Sequence, residues 1–215
     1  MIKNIIAAIT LCLFLGQTAS FAQDAKAKGI LESASKKMSS LKTLKANFTL
    51  KLLGKTGNVR ETQKGTMMMK GNKYRISLAK QEIICDGKTV WTLMKDAKEV
   101  QVSNYNPEEQ SISPTKLFTN FYDKEYNYHY VGSKKIAGKP CDVIEMTPKS
   151  SSKQFSKVEL AFDKNSTIAG GTISEKNGNQ YAYEVSGFST NPPIAESQFA
   201  YDAKAHPGVE LVDLR

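Results

Sequence analysis

Histidine is nearly absent from this chain. His129 and His206 are the two in 215 residues, far apart and without a cluster of ligating side chains around either, so a metal centre is not expected. There is no glycine-rich phosphate loop, no nucleophile elbow and no metalloprotease helix pattern. Nothing pairs Cys85 or Cys141 with His129 as nucleophile and base, and His129 itself reads as a packing residue on a strand face. Asp142, Glu145 and Glu159 read as ordinary exposed strand charges. The expectation is no enzyme and no cofactor. Cysteine is scarce as well. Cys12 follows Leu11, where a lipid-attachment site needs a small residue, so the chain is not expected to be lipidated. No internal repeat, no low-complexity tract and no second apolar run of membrane length follows the first. Although the formal charge is +9, no four Lys/Arg residues stand in a row to make a concentrated basic patch.

What is present begins with an export signal. Lys3 gives a positive start, Ile5 to Leu15 is an apolar run, and Ser20 and Ala22 put small residues where a signal peptidase reads. The run is too short to anchor a ~30 Å hydrocarbon core. The expected organisation is therefore 1–22 as a signal peptide removed near Ala22, and 23–215 as one periplasmic domain with a sizeable core. An exported basic protein meets no nucleic acid. Its surface charge suits transient contact with an anionic membrane or an acidic protein, or is simply solvated. Cys85 and Cys141 enter an oxidising compartment. Sequence leaves open whether they bridge or sit apart as small buried hydrophobes.

One helix opens the domain. Ala27, Ile30, Leu31, Ala34, Met38 and Leu41 recur at spacings of three and four, with Lys28, Glu32, Lys36 and Lys37 opposite. The period then changes to two: from Leu44 to Leu52 every even position is apolar and every odd one polar, the pattern of a half-buried strand. Strand-like segments follow at 59–69, 74–78, 81–85, 89–94, 99–103, 126–134, 141–147, 155–162, 167–175 and 180–190. Turn signals separate many of them, notably Gly71-Asn72, Asp86-Gly87 and Asn177-Gly178. Spacings this short make an antiparallel sheet, because parallel pairing needs long crossovers. Val209 to Leu214 reads as a last edge strand.

Between Asn104 and Lys124 the alternation stops. Ser113-Pro114 reads as a helix start, and Leu117, Phe118, Phe121 and Tyr122 share one face. A large sheet with so few helices must curl or leave a face bare, and curling makes a ligand hollow. Alternation, with the flexible thioethers of Met67, Met68 and Met69, selects Phe48, Leu50, Leu52, Met67, Met69, Ile76, Trp91 and Leu93 as an apolar wall. Filling of an irregular core explains the methionines equally well. A one-residue slip would move any of these strands to the other face. Leu117, Phe118 and Phe121 are the expected lid.

The order of these pieces resembles the periplasmic outer-membrane lipoprotein carrier (LolA-type) family. The resemblance is carried by an opening helix, then 44–49 (Leu-Lys-Ala-Asn-Phe-Thr), then 86–91 (Asp-Gly-Lys-Thr-Val-Trp). Thr147-Pro148-Lys149 with Phe155 beyond, and Pro207-Gly208-Val209-Glu210 near the end, add to it. What the resemblance implies is a mainly β (α+β) fold: a curved antiparallel sheet forming an unclosed β-barrel, with helices over its concave apolar face. It further implies acylated lipoproteins as cargo, an inner-membrane lipoprotein-releasing transporter as donor and an outer-membrane acceptor. A lipid- or lipoprotein-sensing module on the same fold is the alternative. The sequence departs from the family at Lys70-Gly71-Asn72, where an arginine before proline commonly helps hold the lid. Lysine lacks the planar, forked donor set of arginine.

Overall fold

The structure, a computed structural model, describes residues 18–106 and 122–215. A helix, α1 (Thr18–Ser39), leads into β1 (Thr43–Leu53) and β2 (Val59–Lys70). Then come β3 (Lys73–Ser77), β4 (Gln81–Cys85), β5 (Thr89–Met94) and β6 (Glu99–Asn104). One helical turn, α2 (Tyr122–Glu125), precedes β7 (Tyr126–Ile136), β8 (Lys139–Pro148) and β9 (Phe155–Asp163). The sheet is completed by β10 (Ile168–Glu175), β11 (Gln180–Thr190) and β12 (Glu210–Asp213). The hairpin signals act as read: Gly87 takes φ 91°, the left-handed region that its lack of a Cβ allows. Asp86 accepts from the Lys88 and Thr89 amides at 2.8 Å, which fixes Cys85 opposite Val90.

All twelve strands form one curved, unclosed sheet in the order β12-β6-β5-β4-β3-β2-β1-β11-β10-β9-β8-β7. Neighbours run antiparallel except β12, which lies parallel to β6 with Leu211 beside Val100. The sequence placed a last strand here; its direction follows from the chain after β11, which crosses the sheet before β12 joins the far edge.

The curl is visible in the core. One apolar cluster joins Met69, Tyr74, Cys85 and Val90 from β2–β5 with Ile144, Met146, Leu160 and Phe162 from β8–β9. Residues so far apart along the sheet meet because it bends round on them. The apolar stripe of α1 closes this cluster: Ala27, Leu31, Ala34 and Met38 are buried, with Ile30 and Leu41 packed at its margin.

Cys85 and Cys141 are free and buried. Cys85 belongs to the concave core and Cys141 to a small cluster with Val143 and Ala161 on the sheet's other face. Strands four and eight of one sheet, with side chains on opposite faces, do not bring Cα atoms within the ~7 Å a disulfide needs. His129 is a correction. Its side chain is exposed on the outer face, 3.6 Å from Glu145, and fills no core.

Candidate functional site: the concave apolar face

Cross-strand register decides which side chains share this face, since partners in an antiparallel ladder point the same way. Leu44 lies opposite Met69, which faces Tyr74, then Cys85, then Val90. One step along, Ala46 opposes Met67, which faces Ile76 and Ile83. Phe48 stands between Gly65 and Val185. Leu50 stands between Gln63 and Tyr183, and Leu52 between Glu61 and Tyr181. The structure thus brings Phe48, Leu50, Leu52, Met67, Met69 and Ile76 together on one face.

Trp91 and Leu93 do not join them, which corrects the sequence reading. Val90 and Thr92 continue the concave rows, while Trp91 pairs with Ile84 and Val102, and Leu93 with Glu82 and Val100, on the outer face. The physical reason is that this half of the sheet is buried on both sides, so β5 is apolar at both parities. Ile84, Leu93, Val100 and Val102 are all buried outside the concave cluster. The chain after β11 reaches that outer side. Glu196 sits 2.5 Å from Lys70 and 2.7 Å from Lys73, the Arg75 guanidinium donates to the Gln198 carbonyl at 3.2 Å, and Phe199 is 1 % exposed. Paired with both ammonium groups, Glu196 titrates at about 2. The expected lid residues Leu117, Phe118 and Phe121 lie outside the described residues. Tyr122 of the same stripe is buried, edge-on to Tyr128 at 5.8 Å.

Burial along the concave face is graded. Leu44 is 2 % exposed, Ala46 is buried, and Phe48, Leu50 and Leu52 are half-buried. Val185, Tyr183 and Tyr181 on β11 and Ile173 on β10 are half-buried beside them. The other side is shut. Leu31, Ala34 and Met38 of α1 press on Met146, Leu160 and Ile168, leaving a space of about 10 Å³, room for at most one water. The half-buried Phe48–Leu52 end of the wall is thus the open end, and anything entering beneath α1 would have to displace it.

Polar contacts hold α1 at two points, near its middle and at its C-terminal end. The Lys26 ammonium lies 3.7 Å from the centre of the Tyr130 ring and 3.3 Å from Asp142 Oδ1. The hydroxyls of Tyr130 and Ser133 donate to the same carboxylate at 2.8 Å each. Burial opposes ionisation of Asp142, but Ser133, Tyr130 and Lys26 together bring its carboxyl below the usual range. At the far end Lys37 donates to the Asn165 carbonyl at 2.9 Å and to Thr167 Oγ1 at 2.5 Å. Lys70 faces outward and is paired with Glu196. The polar clasp on α1 is thus Lys26 and Lys37, which alternation alone does not mark.

Glycines seat two aromatic rings of the wall. A Cβ on Gly65 would lie 2.5 Å from Phe48 Cζ and 2.8 Å from Leu78 Cδ2. One on Gly171 would lie 2.7 Å from the Tyr183 hydroxyl and 2.4 Å from the Glu159 carbonyl oxygen. Gly65→Ala should therefore displace the Phe48 ring and lower stability by about 1–3 kcal/mol. Thermal denaturation of the variant measures this, and an unchanged midpoint would show that the ring does not rest there. The sequence reading missed the β11 side of the wall. Tyr181, Tyr183 and Val185 alternate visibly, but a bulge at Ser186 shifts the parity so that Phe188 joins them.

Three comparisons place these features. The family model described as outer membrane lipoprotein carrier protein LolA matches residues 39–202. An outer-membrane lipoprotein carrier protein of Legionella pneumophila is 24 % identical over 204 residues, covering 93 % of this chain and 98 % of that protein. One of Xanthomonas campestris is 29 % identical over 172 residues, covering 75 % and 78 %. Among solved structures, an uncharacterized conserved protein from Thermus thermophilus superposes with a TM-score of 0.57 at 13 % identity. That match spans 87 % of this chain and 99 % of that one, and shows the shared fold. With a family model spanning most of the chain, from the end of α1 to beyond the Phe199 turn, this protein belongs to the outer membrane lipoprotein carrier (LolA) family.

Proposed function

We propose that the protein is a periplasmic carrier that takes acylated lipoproteins from an inner-membrane releasing transporter and delivers them to an acceptor at the outer membrane, shielding acyl chains against its concave face. The observation that carries this reading is the half-buried apolar stripe of Phe48, Leu50 and Leu52 beside Tyr181, Tyr183 and Val185, on the face whose other side α1 covers. Half-exposed apolar surface is unfavourable in water and becomes favourable when another apolar body covers it. The magnitudes suit a carrier that also releases. Each buried methylene contributes about 0.8 kcal/mol. Roughly ten of them give about 8 kcal/mol, near micromolar affinity before ordering costs. The wall proposed to bind is Phe48, Leu50, Leu52, Met67, Met69 and Ile76, with Tyr183 and Val185 added from β11.

Leu50→Glu places a charge in the middle of that wall. Uptake of an apolar fluorophore should fall at least about tenfold, because an unpaired carboxylate beside a hydrocarbon is strongly disfavoured. The β signature in circular dichroism should persist, as the side chain is half-exposed in the empty protein. Undiminished uptake by a folded variant would place the ligand elsewhere. Recovery of acylated peptides with the protein from periplasm tests the cargo. Depletion in the native host separates a carrier, whose loss misplaces many lipoproteins, from a sensor, whose loss alters one response.

A further inference from the structure

Two polar atoms on the concave face are shut from solvent and have no hydrogen-bond partner among the described residues: Oε1 of Gln63 and the hydroxyl of Tyr183. Both flank Leu50 in a single cross-strand row. The orientation of Gln63 is set by its neighbour. Its Nε2 donates to Glu61 Oε1 at 3.1 Å, and the reversed amide would bring two acceptor oxygens together, so Oε1 is the idle acceptor. Tyr183 leans over Gly171, whose missing Cβ leaves room for the hydroxyl. Burial pushes its phenol well above the usual range, so it stays protonated and keeps its donor. The wall thus holds an idle acceptor on β2 and an idle donor on β11, with one strand between them.

A plain hydrocarbon would leave both atoms unsatisfied, which buried polar groups rarely are. An acyl chain joined through an ester supplies a carbonyl, and so answers Tyr183 alone. A chain joined through a secondary amide supplies a carbonyl and an N–H, and answers both. Adjacent strands lie ~4.8 Å apart, so the two backbones are ~10 Å from each other. Two side chains reaching inward over that span can grip one amide. Resting on the acyl-carrier reading above, we propose that Tyr183 and Gln63 recognise the amide linkage of an N-acylated ligand: Tyr183 donates to the carbonyl and Gln63 Oε1 accepts from the N–H. The two residues set which attachment chemistry the wall prefers, while the apolar rows hold the chain itself.

Three probes with the same hexadecyl-length chain and fluorophore, joined by an amide, an ester or an ether, test this on the full chain. The wild type should bind the amide about tenfold more tightly than the ether, with the ester between, as one or two satisfied buried hydrogen bonds would give. Tyr183→Phe should bring the ester to the level of the ether and leave the amide only the margin that Gln63 supplies. Gln63→Met should bring the amide to that of the ester and leave the other two unchanged. Both replacements keep volume, and Tyr183→Phe removes an unsatisfied hydroxyl, so the empty variant should melt no lower than the wild type. Equal wild-type affinity for all three probes, an amide-over-ester margin that survives Gln63→Met, or an ester-over-ether margin that survives Tyr183→Phe, would overturn the inference while leaving the carrier reading intact. Failure of the wild type to bind any probe would instead strike the carrier reading on which it rests.

Discussion

Phe199→Ala should destabilise the protein by about 3–5 kcal/mol, the usual loss for a large aromatic removed from a packed site. Phe199 is 1 % exposed on a single 3-10 turn, Glu196–Phe199, which carries little else that is buried. Its turn lies against the outer side of β3, where Glu196 and the Gln198 carbonyl add polar contacts to Lys70, Lys73 and Arg75. Those contacts are exposed or partly so, and exposed ion pairs contribute little. The ring therefore supplies most of the hold. Chemical denaturation reads the loss as a lower midpoint. Because Phe199 sits on the face opposite Leu50, dye affinity of the folded fraction should not change. A loss under ~1 kcal/mol would show that the crossing segment is not part of the core.

Glu82→Ala is the second large effect. Glu82 accepts from Arg75 Nε at 3.0 Å and Nη2 at 2.8 Å, and from Ser77 Oγ at 2.6 Å, with its side chain 9 % exposed. Removing one member of a buried pair strands the other, at about 3–5 kcal/mol. Arg75, 21 % exposed, recovers some hydration, so the loss should fall near the lower end. Replacing both at once, Arg75→Met with Glu82→Leu, should recover much of it, since the pair's own desolvation is then avoided. Titration gives an independent check. Burial raises the Glu82 carboxyl, but the Arg75 and Ser77 hydrogen bonds outweigh it and leave the folded value below the ordinary 4.5. A carboxyl lowered on folding contributes fully above its unfolded value and loses that contribution as pH falls through the folded one. Wild-type stability should thus decline below pH 4.5 more steeply than that of Glu82→Gln. Parallel curves would show the pair to be inert.

The strands were readable because their turns are: Asp86-Gly87, Gly71-Asn72 and Asn177-Gly178 each fix a hairpin within a residue or two of where the ladder places it. The wall was readable only where one face of a strand is wet. In β1 the odd positions Lys45, Asn47, Thr49 and Lys51 are polar, so Leu44 to Leu52 can point only inward. In β5 both parities are apolar, and the side to which Trp91 points depends on a segment that follows more than a hundred residues later. Tyr183 was not legible as a site because its significance lies in a hydroxyl without a partner, a property of packing. The cysteines are similar: only the topology separates Cys85 and Cys141 onto opposite faces.

The linear strand order has a mechanical consequence. With β12 and β7 as its two ends, the sheet has a seam that no ladder crosses among the described residues. A closed barrel can widen only by parting strands and breaking backbone hydrogen bonds. This sheet can flatten slightly along its whole length, spreading small changes of twist over eleven strand pairings while every ladder stays intact. The work of enlarging the interior would then fall on side-chain contacts, chiefly those of α1 with β7–β10. On the carrier reading, capacity would thereby be uncoupled from backbone integrity, and chains of different bulk would meet a graded resistance in place of a fixed volume.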